Sequence, residues 1–105
     1  MDAAAIVEDF QVQCVAPLAA DACPVMAAEA AGLSRIAPPA GSGKGVMAWR
    51  TPGGGTLLID AYATNACRVI LPIRAPAQVA DAPQGVRIRV ETSDKADVLV
   101  AEAEG

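Results

Sequence analysis

The fold is decided by the run Cys67-Arg68-Val69-Ile70-Leu71-Pro72-Ile73. It is a short apolar segment bounded by Asn65 and by Ala75-Pro76, a pattern typical of a strand. Alternation places Val69, Leu71 and Ile73 on one face, and Arg68, Ile70 and Arg74 on the other. We therefore predict that this run is the central strand of a small sheet, with the Cys67 thiol at its entrance.

Size and composition indicate one domain, residues 1–105, with a radius of gyration of about 13 Å. Apolar residues make up 53% of the chain, but many are alanine, and the only aromatic residues are Phe10, Trp49 and Tyr62. Because large side chains are scarce, a covalent cross-link would contribute more here than in a domain rich in leucine and phenylalanine.

The charge balance argues against nucleic acid as a partner, since the net charge is -4 and phosphate binding needs many basic side chains. No apolar run approaches the ~18 residues of a membrane span, so we predict no membrane insertion. The first residues lack the basic start and apolar block of a secretion signal. We expect a periplasmic or secreted protein whose signal peptide has been removed, with a cytoplasmic location as the alternative.

Histidine is absent from the sequence. Its absence excludes Ser/His and Cys/His nucleophilic catalysis, histidine acid/base chemistry and most zinc sites. We predict no catalytic set, no metal site and no cofactor.

The first helix is predicted over residues 2–15, with Asp2 as its N-cap. Helical spacing directs Gln13 outward, and Pro17 is expected to end the helix. Alternation over residues 10–13 also permits a short strand. The inner face would consist of Ile6, Val7, Phe10 and Cys14.

A second helix is predicted from Pro24 to Ala31, because proline suits a first helical turn and Gly32 is placed to end the helix. Asp21 lies close enough to cap it. Its inner face would consist of Met26, Ala30 and Leu33.

A hairpin is predicted after a loop over residues 37–45, with strands at 46–51 and 56–62 around the turn 52–55. A three-residue glycine loop sets Trp49 opposite Ile59 and Met47 opposite Ala61. The opposite face would then carry Arg50, Asp60 and Tyr62.

The last hairpin turns around residues 93–96, after a loop over 75–84 with one helical turn near 78–82. Its pairs are Val90 with Leu99, Ile88 with Ala101, and Arg87 with Glu102. The predicted fold class is α+β, with two short N-terminal helices packed on a mainly antiparallel sheet of about five strands.

The three cysteines could form a disulfide or remain free thiols. Helix and strand geometry would bring Cys14 over Cys67, and a disulfide between them is our hypothesis, with Cys23 as the rival partner. The alternative is three buried thiols in a reducing compartment. Cys23 lies at the start of the second predicted helix, a position that can activate a thiolate. A buried or capping role is favoured for it, because no histidine base is available.

The glycine-rich run at residues 41–45 fails as a phosphate loop, because Pro38 replaces the first glycine and Gly45 replaces the magnesium-binding Ser/Thr. Asp60 and Asp97 would form an acid/base pair only if the fold brought them together across a cleft. Trp49 is assigned to the core, and Tyr62 to the surface or to a recognition patch with Arg50.

Four arginines occupy alternate strand positions and are candidates for one outer face of the sheet. Such a face would bind an acidic partner or an anionic ligand. The favoured alternative is a solvated surface whose charges pair locally, such as Arg87 with Glu102. The four residues are Arg68, Arg74, Arg87 and Arg89.

The layout Phe10-x-x-x-Cys14, Ala31-Gly32-Leu33, Trp49 and Cys67-Arg68-Val69 resembles a group of small exported proteins of proteobacteria. The resemblance covers most of residues 10–73. It implies a periplasmic or secreted setting and a helix-to-strand disulfide, carried here onto Cys14 and Cys67. Cys23 is an addition to that layout.

We therefore expect a non-enzymatic, exported interaction or envelope-associated module that binds a protein partner or its own copy through its sheet. One alternative is a small enzyme that uses carboxylates and arginine. Another is a cytosolic or phage-encoded regulator or inhibitor.

Overall fold

The computed structural model describes residues 2–75, 81–93 and 96–104. Its fold is α+β, as predicted, with helices packed on one face of a six-stranded antiparallel sheet of order β1-β2-β3-β4-β6-β5. The strand beyond the predicted five is β1, which pairs with β2 at the edge of the sheet. The strands are β1 Ser34–Ile36, β2 Val46–Arg50, β3 Thr56–Asp60, β4 Ala63–Leu71, β5 Val86–Thr92 and β6 Asp97–Ala103.

The N-terminal helical segment consists of α1 (Ala3–Phe10), a π-helical turn (Gln11–Val15) and α2 (Ala16–Ala19). Asp2 caps it as predicted, because its Oδ1 accepts a hydrogen bond of 3.0 Å from the Ala4 N–H. The prediction that Pro17 ends the helix is wrong. Pro17 follows directly after the π turn, in which the Ala16 N–H donates to Gln11 O. At this position the helix continues past a proline, although proline has no N–H to donate.

The second helix, α3 (Pro24–Ala30), starts at Pro24 as predicted and ends one residue before the predicted Ala31, but its buried face differs from the prediction. Pro24 and Ala28 are buried, whereas Met26 is 70% exposed. Because each helical residue turns by about 100°, Met26 points roughly opposite to a face defined by Pro24. Asp21 provides no side-chain cap and instead adopts a positive φ of 55° in the preceding turn.

The hairpin of β2 and β3 pairs Trp49 with Leu57 and Met47 with Ile59, two positions away from the predicted partners. The centre of the turn therefore moves from residue 54 to residue 53, and the Thr51 N–H donates to Gly55 O at 3.0 Å. Because side chains alternate with a period of two, a shift of two keeps every strand residue on its predicted face. Tyr62 lies beyond the end of β3 and is 80% exposed.

The core lies between the helices and the inner face of the sheet. Strand β4 is interior, as predicted, between β3 and β6, but it ends at Leu71, so Ile73 lies outside it. Large side chains that are almost wholly buried come from both layers: Ile6, Phe10, Trp49, Leu57, Ile59, Val69, Leu71 and Leu99.

The hairpin of β5 and β6 has the register that the sequence predicts. Val90 pairs with Leu99, Ile88 with Ala101, and Arg87 with Glu102. The helical turn expected near residues 78–82 falls largely outside the described residues.

Among the described helices, none combines the length and apolar character needed to cross a membrane. The Cα radius of gyration is 12.4 Å, close to the expected value.

Candidate functional sites

The structure joins Cys14 and Cys67 by a disulfide, the pairing put forward from the sequence. Their Cα atoms are 5.4 Å apart, and both side chains are buried between the helical segment and β4. Gln13 O lies 3.8 Å from Cys67 Sγ, a packing contact because the oxidised sulfur carries no proton. A bond of this kind persists in oxidising compartments.

Cys23 remains a free, half-buried thiol at the start of α3. It lines a pocket of about 290 Å³ with Asp21, Thr64 and Asn65. No cationic side chain is among the residues lining this pocket.

Arg74 lies beyond the end of β4 rather than on a strand, and its side chain contacts Ser93 and Asp97. Its Nη1 donates to Asp97 Oδ1 at 2.9 Å and to Ser93 O at 2.6 Å. The Ala75 N–H donates to Asp97 Oδ2 at 2.7 Å. Hydrogen bonds from Ala75 N–H and from Arg74 lower the pKa of Asp97, although burial acts in the opposite direction.

The two arginines of β5 project from the outer face of the sheet, away from the helices. Arg89 forms ion pairs with Glu102 and, at 3.1 Å, with Glu91. Arg87 stands opposite Glu102 in the register, but the ion pair of that carboxylate goes to Arg89. Local pairing, which the sequence favours for these arginines, holds for Arg89, but the predicted ion pair of Arg87 with Glu102 is wrong.

Arg68 is on the outer face of β4, half-buried, and lines a second pocket of about 250 Å³. The other lining residues are Ser42, Val46, Leu58 and Asp60. This pocket could not be predicted from the sequence, because Ser42 reaches it from a loop whose path depends on packing.

Gly45 shows how that loop is held. It has a φ of +91°, its carbonyl accepts from the Ala61 N–H at 3.0 Å, and a Cβ there would come within 2.5 Å of the Tyr62 ring. Only glycine combines this backbone conformation with so close a ring. The glycine-rich run therefore positions the loop beside the pocket.

The two carboxylates considered as an acid/base pair are far apart in the fold. Asp60 is on the outer face opposite Val46, whereas Asp97 is on the inner side opposite Leu71, at the other end of the sheet. Asp97 is also engaged by Arg74. This arrangement does not provide two carboxylates facing one substrate.

Trp49 is 1% exposed and belongs to the core, as predicted. The guanidinium of Arg35, its neighbour across β1 and β2, lies 5.5 Å from the indole centroid. This cation–π contact closes the open side of the core near the sheet edge.

Within the described ranges, no three side chains of metal-binding type come together. Comparisons of the chain with models of protein families, with curated protein sequences and with solved structures found no significant match.

Proposed function

We propose that this chain is an exported, non-enzymatic binding module that associates with a second copy of itself through the free edge of its sheet. The observation that carries the proposal is the state of β5. It is the last strand in the sheet order, and in the parts of the chain that are described only β6 pairs with it. Val90 on this strand is 40% exposed, so the edge offers an apolar side chain together with unpaired backbone groups.

The sequence of β5 is self-complementary in one antiparallel register. With a two-fold axis at Val90, that residue meets its own copy on the inner face, and Arg89 stands opposite Glu91 of the second copy on the outer face. Two such ion pairs form, one on each side of the axis. Opposite charges and apolar pairs directly across strands are stabilising.

The neighbouring registers are less favourable. An axis at Arg89 pairs Arg87 with Glu91 twice but also places two arginines directly opposite each other, and an axis at Ile88 places Arg87 opposite Arg89 twice. Like charges in these positions are destabilising. The charge pattern therefore favours the axis at Val90.

Two further features support the export part of the proposal. The Cys14–Cys67 disulfide suits an oxidising compartment. The layout of cysteines, glycine and tryptophan resembles that of small exported proteobacterial proteins, so a periplasmic or secreted location is proposed. The arginines then act mainly within the fold and at its edge, since Arg74 and Arg89 already bind carboxylates of the same chain.

The test is the oligomeric state, measured by light scattering after gel filtration and by sedimentation over a concentration series. We expect a dimer that dissociates on dilution. Val90→Lys should raise the dissociation constant by about tenfold or more, because it places two ammonium groups at the axis. Ser34→Lys puts the same charge on β1, the opposite edge, and should leave the constant unchanged.

A charge exchange checks the register. Glu91→Arg alone should weaken the dimer, and adding Arg89→Glu should restore much of the loss, because the two sites then carry each other's charge; the double variant still lacks the ion pair of Arg89 with Glu102. A native chain that remains monomeric at every concentration would overturn the proposal. So would a Val90→Lys variant that associates as tightly as the native chain.

A further inference from the structure

Arg68 is half-buried, whereas Arg50 and Arg87, the other outer-face arginines that form no ion pair within the described residues, are exposed. It lies in the interior of the sheet, between Leu58 on β3 and Val100 on β6, and Val100 is fully buried. Within residues 2–75, 81–93 and 96–104, Arg68 makes no hydrogen bond or ion pair. A half-buried guanidinium has lost part of its hydration, so an anion that reaches it gains a strong, bidentate contact.

The pocket beside Arg68 also contains the opposite charge. Asp60 lines it two positions along β3 from Leu58, and the two charged groups are not ion-paired with each other. Asp60 Oδ1 accepts from the Tyr62 N–H at 2.9 Å, which fixes the carboxylate, and no described residue donates to its second oxygen. The apolar residues Leu58 and Val46, together with Ser42, complete the lining of the pocket.

We propose that this pocket binds a small zwitterion, an α-amino acid with an apolar side chain. The carboxylate of the ligand pairs with Arg68, its ammonium group pairs with Asp60, and its side chain contacts Leu58 and Val46. The volume of about 250 Å³ is below the range of pockets for drug-sized molecules, roughly 300–1,000 Å³, and suits a ligand of amino-acid size. A phosphate ester fits less well because Asp60 would repel it.

This inference goes beyond the proposed self-association and uses none of the residues of β5. The test is a calorimetric or NMR titration of the full chain with L-leucine. We expect saturable binding to one site. N-acetyl-L-leucine, which lacks the ammonium group, and L-leucinamide, which lacks the carboxylate, should each bind about tenfold more weakly or worse.

Single substitutions test whether Arg68 and Asp60 bind the ligand. Arg68→Met keeps the apolar stem and should weaken leucine binding by about tenfold or more, and Arg68→Lys should also weaken it because a lysine cannot form the bidentate contact. Asp60→Asn should weaken leucine more than N-acetyl-leucine. Arg50→Met removes an outer-face arginine that does not line the pocket, and it should leave binding unchanged.

Three outcomes would overturn the proposal: no saturable binding of leucine, equal binding of leucine and N-acetyl-leucine, or an Arg68→Met variant that folds and binds normally. The Val90→Lys variant separates the two proposals. It should lose self-association and still bind leucine like the native chain.

Discussion

Asp97 is a single carboxylate that the fold holds in its ionised form. It is 5% exposed, and it accepts hydrogen bonds from the Ala75 N–H and from Arg74. Through these bonds it ties the segment after β4 to the first residue of β6. Their effect exceeds that of burial, and the pKa of Asp97 is lowered.

We predict that Asp97→Asn makes stability less sensitive to acid. A lowered pKa in the folded state means that the ionised group stabilises the fold in full above the pKa of an unfolded aspartate, about 3.9. That contribution is lost as the pH falls through the lower folded-state pKa. The variant should therefore be less stable than the native chain at neutral pH, and the difference should narrow from about pH 4 downward.

The measurement is urea unfolding of both chains at neutral pH and through the acid range. Asp81→Asn, a change at an exposed carboxylate, is the control and should show no such narrowing. A constant difference between Asp97→Asn and the native chain at every pH would contradict the prediction.

Gln13 shows where residue-level prediction fails. Ideal helical spacing directs it outward, but it is 6% exposed and its Oε1 has no hydrogen-bond partner among the described residues. The cause is the π turn at Gln11–Val15, which changes the angle between successive side chains. By contrast, Asp2 and Trp49 were predicted correctly, because a cap and a large aromatic residue depend on local chemistry and on bulk.

At the scale of elements, the turn between β2 and β3 is built against helix α1. The Gly53 N–H donates to Asp9 Oδ2 at 2.6 Å, and the Gly55 N–H donates to the buried Thr51 Oγ1 at 2.8 Å. A Cβ on Gly53 would lie 2.9 Å from the Ala5 carbonyl carbon and 3.0 Å from the Ile6 nitrogen. The helix therefore approaches so closely that there is no room for a side chain at Gly53.

We predict that Gly53→Ala destabilises the fold by about 1–3 kcal/mol, because backbone atoms of α1 must move to admit the methyl group. Chemical denaturation measures the loss. Pro52→Ala changes the exposed neighbour in the same turn and should cost less. If the two variants were equally stable, the close packing of the turn on the helix would not matter for stability.

The two hairpins show which registers a sequence can specify. In β5 and β6, the turn lies at residues 93–96 as predicted, with the Ser93 N–H donating to Ala96 O at 3.0 Å, and this position of the turn sets the register. In β2 and β3, two pairings that differ by two positions preserve the faces equally well. The choice between them depends on contacts of the turn with α1, such as the hydrogen bond from the Gly53 N–H to Asp9, and such tertiary contacts cannot be inferred from alternation.

The candidate site illustrates the same limit at the scale of the whole molecule. Arg68 and its outward direction follow from strand alternation. The pocket also needs Ser42 from a distant loop and Asp60 from β3, and the path of that loop depends on the contact of Gly45 with Tyr62. Sequence spacing therefore predicts the residue but not its surroundings.

As a whole, the molecule is two thin layers with few large side chains between them. Phe10 and Trp49 are the aromatic residues of the core, and much of the remaining apolar content is alanine. The Cys14–Cys67 bond crosses between the layers and joins residues 53 positions apart. Such a bond restricts the unfolded chain more than a short-range cross-link does.

We predict that Cys14→Ala combined with Cys67→Ala lowers the free energy of unfolding by about 4 kcal/mol, the value that chain entropy assigns to a loop of this length. This is a large share of the roughly 5–15 kcal/mol by which domains are stable, so the variant should unfold at a much lower denaturant concentration. Cys23→Ala removes the free thiol and should leave the midpoint nearly unchanged, because that residue closes no loop. Adding a reductant to the native chain should reproduce the loss seen in the double variant. If the double variant instead unfolded at the native midpoint, the alanine-rich core would be sufficient by itself, and the disulfide could not be what holds the helical segment on the sheet.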